Sequence, residues 1–128
     1  NMFLHFLELK GNIYAFSVPK FVIDKVGKYF QEVIHKRRAE QKQMMYHIYS
    51  KEAIERIKYL NSLPYTEARY LEQEDYNVTN IICNDEVALC VFYNNEEKKP
   101  MIIMIKNKQV ADAYINHFSV LWEKAKKP

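Results

Sequence analysis

Residues 79 to 93, TNIICNDEVALCVFY, decide the fold of this chain. Two runs rich in β-branched and apolar residues flank Asn84-Asp85, a dipeptide suited to a two-residue hairpin turn. This turn pairs Cys83 with Glu86 in an antiparallel ladder. Alternation then gives the second strand two faces, one with Val87, Leu89, Val91 and Tyr93 and the other with Ala88, Cys90 and Phe92.

The elements after the hairpin complete one face of a sheet. Met101 to Ile105, MIIMI, is apolar on both faces and predicts a central strand covered by helices on each side. Asn107 is placed to cap a closing helix that runs to Lys126. The helix has one apolar stripe, formed by Val110, Ala111, Tyr114, Phe118, Leu121, Trp122 and Ala125. We therefore predict an α/β fold, a mixed β-sheet flanked by helices on both faces.

The first third of the chain predicts a hairpin and a long helix. Phe3 to Leu9 and Asn12 to Ser17 are rich in aromatic and β-branched residues and are separated by Lys10-Gly11, which indicates two paired strands. Helical spacing of apolar residues follows from Pro19 to about Gln41, with Ser17 as a possible cap.

The middle of the chain alternates short strands with a helix. His47-Ile48-Tyr49 ends a strand that begins near Gln43, and Ser50 precedes a helix that Leu63-Pro64 stops. Thr66 to Leu71 is a further strand. A polar connection from Gln73 to Val78 leads into the hairpin.

Length and charge limit the classes of function. A chain of 128 residues predicts a single domain, residues 1–128, and a net charge of +3 is too small to indicate nucleic acid. The basic run from His35 to Arg38, followed by Lys42, ends a helix, where cations complement the helix dipole. We expect no direct nucleic-acid binding by this domain. With only two glycines, neither a Walker loop nor a dinucleotide fingerprint is possible.

The cysteines and the absence of targeting segments predict a cytoplasmic protein with no membrane partner. Cys83 and Cys90 lie about four residues apart along the ladder, roughly 13 Å at strand rise, which is too far for a disulfide. Free buried thiols suit a reducing compartment. No segment has the length of a membrane span or the layout of a signal peptide.

No group of residues in the sequence indicates catalysis. The four histidines, His5, His35, His47 and His117, lack zinc-motif spacing, and Cys83 has no base beside it in the sequence. The acidic clusters near Glu72 and at Glu96-Glu97 fall in polar loops. Ten tyrosines and seven phenylalanines favour packing over ligand stacking. We expect no enzyme activity, no cofactor and no metal.

Several stretches together are similar to a known family. They are Tyr29-Phe30 through His35-Lys36-Arg37-Arg38, Ile48 to Ala53, Leu63 to Leu71, Ile81 to Ala88, and Met101 to Ala111 running into Tyr114, Phe118, Leu121 and Trp122. From about Ile13 onward the chain resembles the C-terminal effector domain of TrmB-like transcriptional regulators, a family frequent in archaea.

The resemblance implies a phospholipase-D-like fold used for regulation. In that family the domain follows a winged helix-turn-helix and a dimerising helix, and an effector or the dimer arrangement biases DNA binding by the attached reader. The chain would then be a fragment of a longer regulator or a homologue without a reader domain, with a homodimeric partner and a possible small-molecule effector. The fold's enzymes use a His-x-Lys motif with a downstream Asp; Arg37 follows His35-Lys36 where lysine would be needed and the Asp is absent, so hydrolysis is not implied.

Site residues and alternatives follow from the same likeness. Arg38 and Arg69 match family positions and are candidates for clamping an anionic ligand, with a structural ion pair or helix-end contact as the other interpretation. The long helix and the N-terminal hairpin are the expected dimer surfaces, with an exposed apolar patch near the N-terminus where a partner domain is missing.

Two alternative functions remain. One is a phospholipase-D-like phosphodiesterase with His35 or another histidine as nucleophile, for which two histidines must converge beside basic residues. The other is a stand-alone protein-interaction adaptor.

Overall fold

A mixed six-stranded sheet forms the centre of the computed structural model, which describes residues 2–72, 78–93, 95 and 97–128. The strand order is β3-β2-β1-β4-β5-β6. The strands are β1 Ile13–Val18, β2 Met45–Ser50, β3 Thr66–Leu71, β4 Thr79–Cys83, β5 Glu86–Val91 and β6 Met101–Lys106. The helices are α1 Met2–Leu9, α2 Lys20–Tyr29, a π turn Phe30–Ile34, α3 His35–Glu40, a 3-10 turn Lys51–Ala53, α4 Ile54–Asn61 and α5 Lys108–Lys124.

The strand directions divide the sheet into two halves. β1, β2 and β3 are parallel, and the segments from α2 to α3 and from the 3-10 turn to α4 connect them. β4, β5 and β6 continue from β1 as antiparallel neighbours. Parallel pairs need crossover helices, whereas an antiparallel pair closes with a short turn. The prediction of a mixed α/β sheet with helices on both faces is confirmed.

Each face of the sheet has its own core layer. One, here the α2 face, packs α1, α2 and α4 against the sheet, and the other, the α5 face, packs α5. Every member of the stripe predicted for the closing helix contributes to the α5 face. The side chain of Asn107 accepts a hydrogen bond from the backbone N–H of Val110 at 3.0 Å, so the predicted cap is also confirmed.

The predicted hairpin is confirmed in its register. Cys83 pairs with Glu86 and Thr79 with Cys90, and the turn residue Asn84 has a φ of 55°, as a primed turn requires. Both thiols are free and buried. Burial raises the pKa of Cys83 to about 11 and that of Cys90 to about 12. The thiols are therefore protonated packing groups.

The prediction for the N-terminal residues is wrong. Residues 2–9 form α1 instead of a strand, and only β1 of the proposed hairpin exists. Met2, Phe3 and Phe6 recur at helical spacing and pack into the α2 face. Ser17 lies inside β1 with a φ of 60°, so it does not cap the next helix; Pro19 occupies that position without a side-chain hydrogen bond.

The helix predicted from Pro19 to about Gln41 is present as three consecutive helical segments. The π turn lies between α2 and α3. A π turn inserts one extra residue per turn and rotates the residues that follow it, an arrangement often found beside functional sites. Here it directly precedes His35. The predicted strands at Gln43 to Tyr49 and Thr66 to Leu71 correspond to β2 and β3. Of the predicted connection Gln73 to Val78, residues 73–77 lie outside the described part of the chain.

The prediction of a buried central strand at Met101 to Ile105 is also wrong. β6 is an edge strand that pairs with β5 alone in the described structure, and Met101 to Met104 are between 43% and 49% exposed. The sequence rule identifies strands that are apolar on both faces, but it does not identify what covers them. None of the described helices has both the length and the apolar character needed to cross a membrane.

Candidate functional site

A buried polar cluster lies on the α2 face, where three elements meet. His35 and Arg38 come from α3, His47 and Tyr49 from β2, and Arg56 from α4. The rings of His35 and His47 meet edge to face with centroids 5.8 Å apart, and the His47 ring stacks on Tyr49 at 5.5 Å. Because β2 alternates its side chains, Met45, His47 and Tyr49 share this face. The π turn sets the orientation of the helix segment that supplies His35.

Arg38 is fully buried and anchors the cluster to the backbone. Its guanidinium donates to the carbonyl oxygens of Gln43 at 2.8 Å and Tyr65 at 2.7 Å, to Thr66 Oγ1 at 2.8 Å, and to His35 Nδ1 at 2.8 Å. All four acceptors are neutral. Burial lowers the pKa of Arg38 to about 10, so it stays a cation at neutral pH. Among the described residues, no carboxylate forms an ion pair with Arg38 or Arg56.

The hydrogen bond from Arg38 fixes the tautomer of His35. Because Arg38 can only donate, His35 Nδ1 accepts, and its proton is on Nε2. The Tyr49 hydroxyl lies 3.3 Å from His47 Nδ1. Burial, together with the nearby arginine charges, lowers the pKa of His35 to about 3 and holds that of His47 well below its usual value. Both rings are neutral at physiological pH.

The unsatisfied atoms of this cluster are nitrogens that can donate. His35 Nε2, Arg38 Nε, His47 Nε2 and Arg56 Nε are buried and have no hydrogen-bond partner. Buried donors of this kind normally find an acceptor in protein, water or ligand. The two guanidinium cations have no paired carboxylate among the described residues, so the cluster offers donors and positive charge. Such a cluster suits an oxygen acceptor of neutral or negative charge.

A cavity of about 40 Å³ adjoins this cluster. Its polar lining includes His47, Tyr49 and Arg56, while the apolar lining includes Val22 and Phe92. One water requires about 10–15 Å³ of such volume, so the space accommodates roughly three waters or a small organic molecule of similar size. The cavity is therefore a short apolar space that ends at a group of hydrogen-bond donors.

The two arginines singled out from the sequence lie on opposite faces of the sheet. Arg69, on the α5 face, stacks on Trp122 at 4.1 Å and donates to the Trp122 carbonyl at 3.0 Å, with Glu67 3.6 Å away. Arg38 has the internal acceptors described above. The structure does not bring the two together, and a ligand role for either stays a prediction.

The remaining histidines lie apart from the cluster. His5 in α1 contacts Glu86 at 2.9 Å, and exposed His117 in α5 meets the edge of the Phe16 ring at 5.5 Å. Sequence reasoning missed the grouping of His47, Tyr49 and Arg56. One available signal was the presence of a histidine on the buried face of a strand that is otherwise apolar there.

Comparison with known proteins supports the fold. No family model matches the sequence, and no curated protein matches it. Among solved structures, the chain is similar to TrmBL2, an archaeal chromatin protein described as showing a novel mode of DNA binding. The TM-score is 0.65 with 19% identity, over 98% of this chain and 50% of TrmBL2. The chain thus spans about half the length of TrmBL2, and at this identity the likeness shows a shared fold.

Proposed function

We propose that this chain is a non-catalytic regulatory domain of a TrmB-like transcription regulator, with a phospholipase-D-like fold, acting in the cytoplasm of an archaeal cell. It modulates DNA binding by a separate winged helix-turn-helix and does not read DNA itself. The observation that carries this proposal is the likeness to a DNA-binding archaeal chromatin protein over 98% of the chain. The family resemblance of the sequence, which rests on different evidence, supports the same class.

The cavity beside His47 is the proposed effector site. Its apolar walls fit a short hydrocarbon body, and the unpartnered nitrogens of His47 and Arg56 supply donors for a carboxylate. The positive charge of Arg56 has no acidic partner among the described residues, which favours an anionic ligand over a neutral one. A short monocarboxylate matches both the volume and the charge.

Elements on both sides of the cavity would carry the signal. Val22 and Val26 of α2, Arg56 of α4, and His47 and Tyr49 of β2 line the same cavity. A carboxylate bound to Arg56 would change the packing between α2 and α4. Such a change couples to DNA binding only if the two arrangements differ in effector affinity.

The test uses the full natural chain that contains these residues. Fluorescence anisotropy with duplex DNA is measured with and without acetate, propionate or butyrate, and the expected shift in affinity is about fivefold or more. Arg56→Met should abolish the shift, whereas Arg37→Met, at an exposed position, should retain it. Specific duplex binding by residues 1–128 alone would overturn the proposal, as would a natural chain that contains no DNA-reading domain.

A phosphodiesterase is the second candidate because His35 and His47 converge beside Arg38 and Arg56. The phosphodiesterase hypothesis drawn from the sequence requires two histidines beside basic residues, and the structure contains this arrangement. Both histidines are buried, however, and a cavity of about 40 Å³ is too small for a phosphodiester with two substituents. Hydrolysis of bis-(p-nitrophenyl) phosphate by the wild type, lost in His47→Ala, would favour this candidate. We expect no turnover by either protein.

A further inference from the structure

β6 exposes consecutive apolar side chains at one edge of the sheet. Met101, Ile102, Ile103 and Met104 are each more than two-fifths exposed. Soluble proteins usually protect such edges with charges, proline or a covering element, and a run of four exposed apolar residues indicates a contact surface. Residues 101 to 105 contain no charge and no proline.

The path of α5 explains why β6 is uncovered on the α5 face. Asn107, just before α5, donates from its backbone N–H to the Asp85 carbonyl at 2.8 Å, next to the end of β6. The helix then crosses the sheet, so that Phe118 contacts Tyr14 of β1 and Trp122 stacks under Arg69 of β3. It has therefore moved away from β6 within three turns.

Register places the β6 side chains on both faces. Ile103 lies opposite Leu89 on the α5 face, and Ile102 lies opposite Cys90 on the α2 face. The exposed surface is therefore an edge with apolar side chains on both faces, and its outer backbone groups are not paired with another strand of the described residues.

The opposite edge of the sheet is covered at one point. The backbones of Tyr70 in β3 and Lys126 exchange two hydrogen bonds, each 2.9 Å, so the C-terminal segment covers the end of β3 at Tyr70. Within the described structure β6 has no such cover. Antiparallel pairing with a second copy closes such an edge, and the product is a two-fold dimer that does not extend into a fibre.

We infer that β6 pairs with β6 of a second copy of this chain, antiparallel about Ile103, to form a continuous twelve-stranded sheet. This register places Ile103 opposite its own copy, Ile102 opposite Met104, and Met101 opposite Ile105. In each pair both residues are apolar, and the two side chains lie on the same face of the sheet. Lys106 falls opposite Pro100, so no two lysines lie directly opposite each other.

The charges at the ends of β6 add a dependence on salt. Lys99 and Lys106 flank the apolar run, and the antiparallel register brings the Lys99 of one copy to the same end of the paired strands as the Lys106 of the other, with the two side chains on opposite faces. Their repulsion is screened by salt. The dimer should therefore tighten as ionic strength rises.

Sedimentation velocity of the 128-residue chain tests the pairing from about 1 µM to about 1 mM, where an interface of this limited size is expected to dissociate. We expect a monomer–dimer equilibrium whose dissociation constant rises at least about tenfold in Ile103→Lys. Val120→Lys is the matched control because Val120 is also an exposed apolar residue, at 51%, but lies on α5. A wild type that stays monomeric, or an Ile103→Lys variant that dimerises equally well, would overturn the inference.

A cysteine variant tests the strand register directly. It also tests the pairing if the Ile103→Lys variant does not fold. Ile103→Cys should form a disulfide-linked dimer under mild oxidation, since residues directly opposite in an antiparallel pair have the required separation. Val120→Cys should not form this disulfide, and equal cross-linking of the two variants would overturn the proposed register.

The inference rests on the homodimer expected under the proposed function and specifies its interface. Its failure leaves the DNA-binding test unaffected, because sedimentation is measured without DNA.

Discussion

Acidification should destabilise this protein through its two buried histidines. Their unfolded-state pKa is 6.5, whereas in the fold the pKa of His35 is about 3 and that of His47 is well below 6.5. Both pKa values are depressed, so the unfolded state binds more protons as pH falls. The stability is fully present above about pH 6.5 and is lost progressively as the pH falls toward the folded-state pKa.

The size of the effect follows from the same shift. At about pH 5, protonation of one histidine favours the unfolded state by about 2 kcal/mol, since each pH unit below the unfolded pKa contributes about 1.4 kcal/mol. His35 alone therefore gives a loss of about 2 kcal/mol between about pH 7.5 and about pH 5, and the depressed pKa of His47 adds to this loss in the same direction. A loss of this size is a large fraction of the stability of a typical domain.

Urea unfolding followed by Trp122 fluorescence measures this loss. The wild type should lose at least about 2 kcal/mol over this pH range, and His47→Gln should lose less than the wild type, because one titrating group has been removed. His117→Gln, at an exposed position, is the control and should behave as the wild type. If His47→Gln loses as much stability as the wild type on acidification, the assignment of His47 as a buried neutral ring is refuted.

Three further substitutions test the packing. Asn107→Ala should cost about 1 kcal/mol, because the Val110 amide loses its cap; urea unfolding at neutral pH measures this, and no change would contradict the cap. Arg69→Met should cost about 1–2 kcal/mol and shift the emission of Trp122, since both the stacking and the bond to its carbonyl are lost; unchanged emission would argue against the contact. Leu60→Ala should cost about 2–5 kcal/mol by leaving a cavity under α4, which a lower thermal midpoint would show.

The antiparallel hairpin and the closing helix were predictable because their signals are local. The turn dipeptide Asn84-Asp85 fixes a register that alternation then extends in both directions. Asn107 marks a helix start with one side chain, and the stripe from Val110 to Ala125 needs only helical periodicity. Each of these inferences uses residues within one element or one turn of it.

The composition of residues 3–9 predicts a strand, whereas the spacing of the residues that pack into the core is helical. Phe3 and Phe6 are aromatic residues that favour strands in general, yet Met2, Phe3 and Phe6 pack into the core at helical spacing. Long-range packing decided the conformation. The carbonyl of Phe6 near the end of α1 accepts a bond from the buried side chain of Gln43, a residue whose role no local pattern reveals.

The exposed strand and the buried cluster depend on topology. Residues 101 to 105 have the same apolar pattern in a central strand and in an edge strand that awaits a partner, so only the strand order distinguishes them. His35 and His47 meet because a crossover from α3 returns the chain beside β1, and Arg56 joins them from the next crossover. Sequence spacing carries no information on such meetings.

DNA affinity of the full natural chain, with and without the domain formed by residues 1–128, tests the central claim most directly. Anisotropy titrations would compare the intact chain with a version from which these residues are removed. The account predicts that the truncated chain still binds duplex DNA, with an affinity changed at least about fivefold and no response to short monocarboxylates. Equal affinity and an equal response in both versions would contradict a regulatory role for this domain.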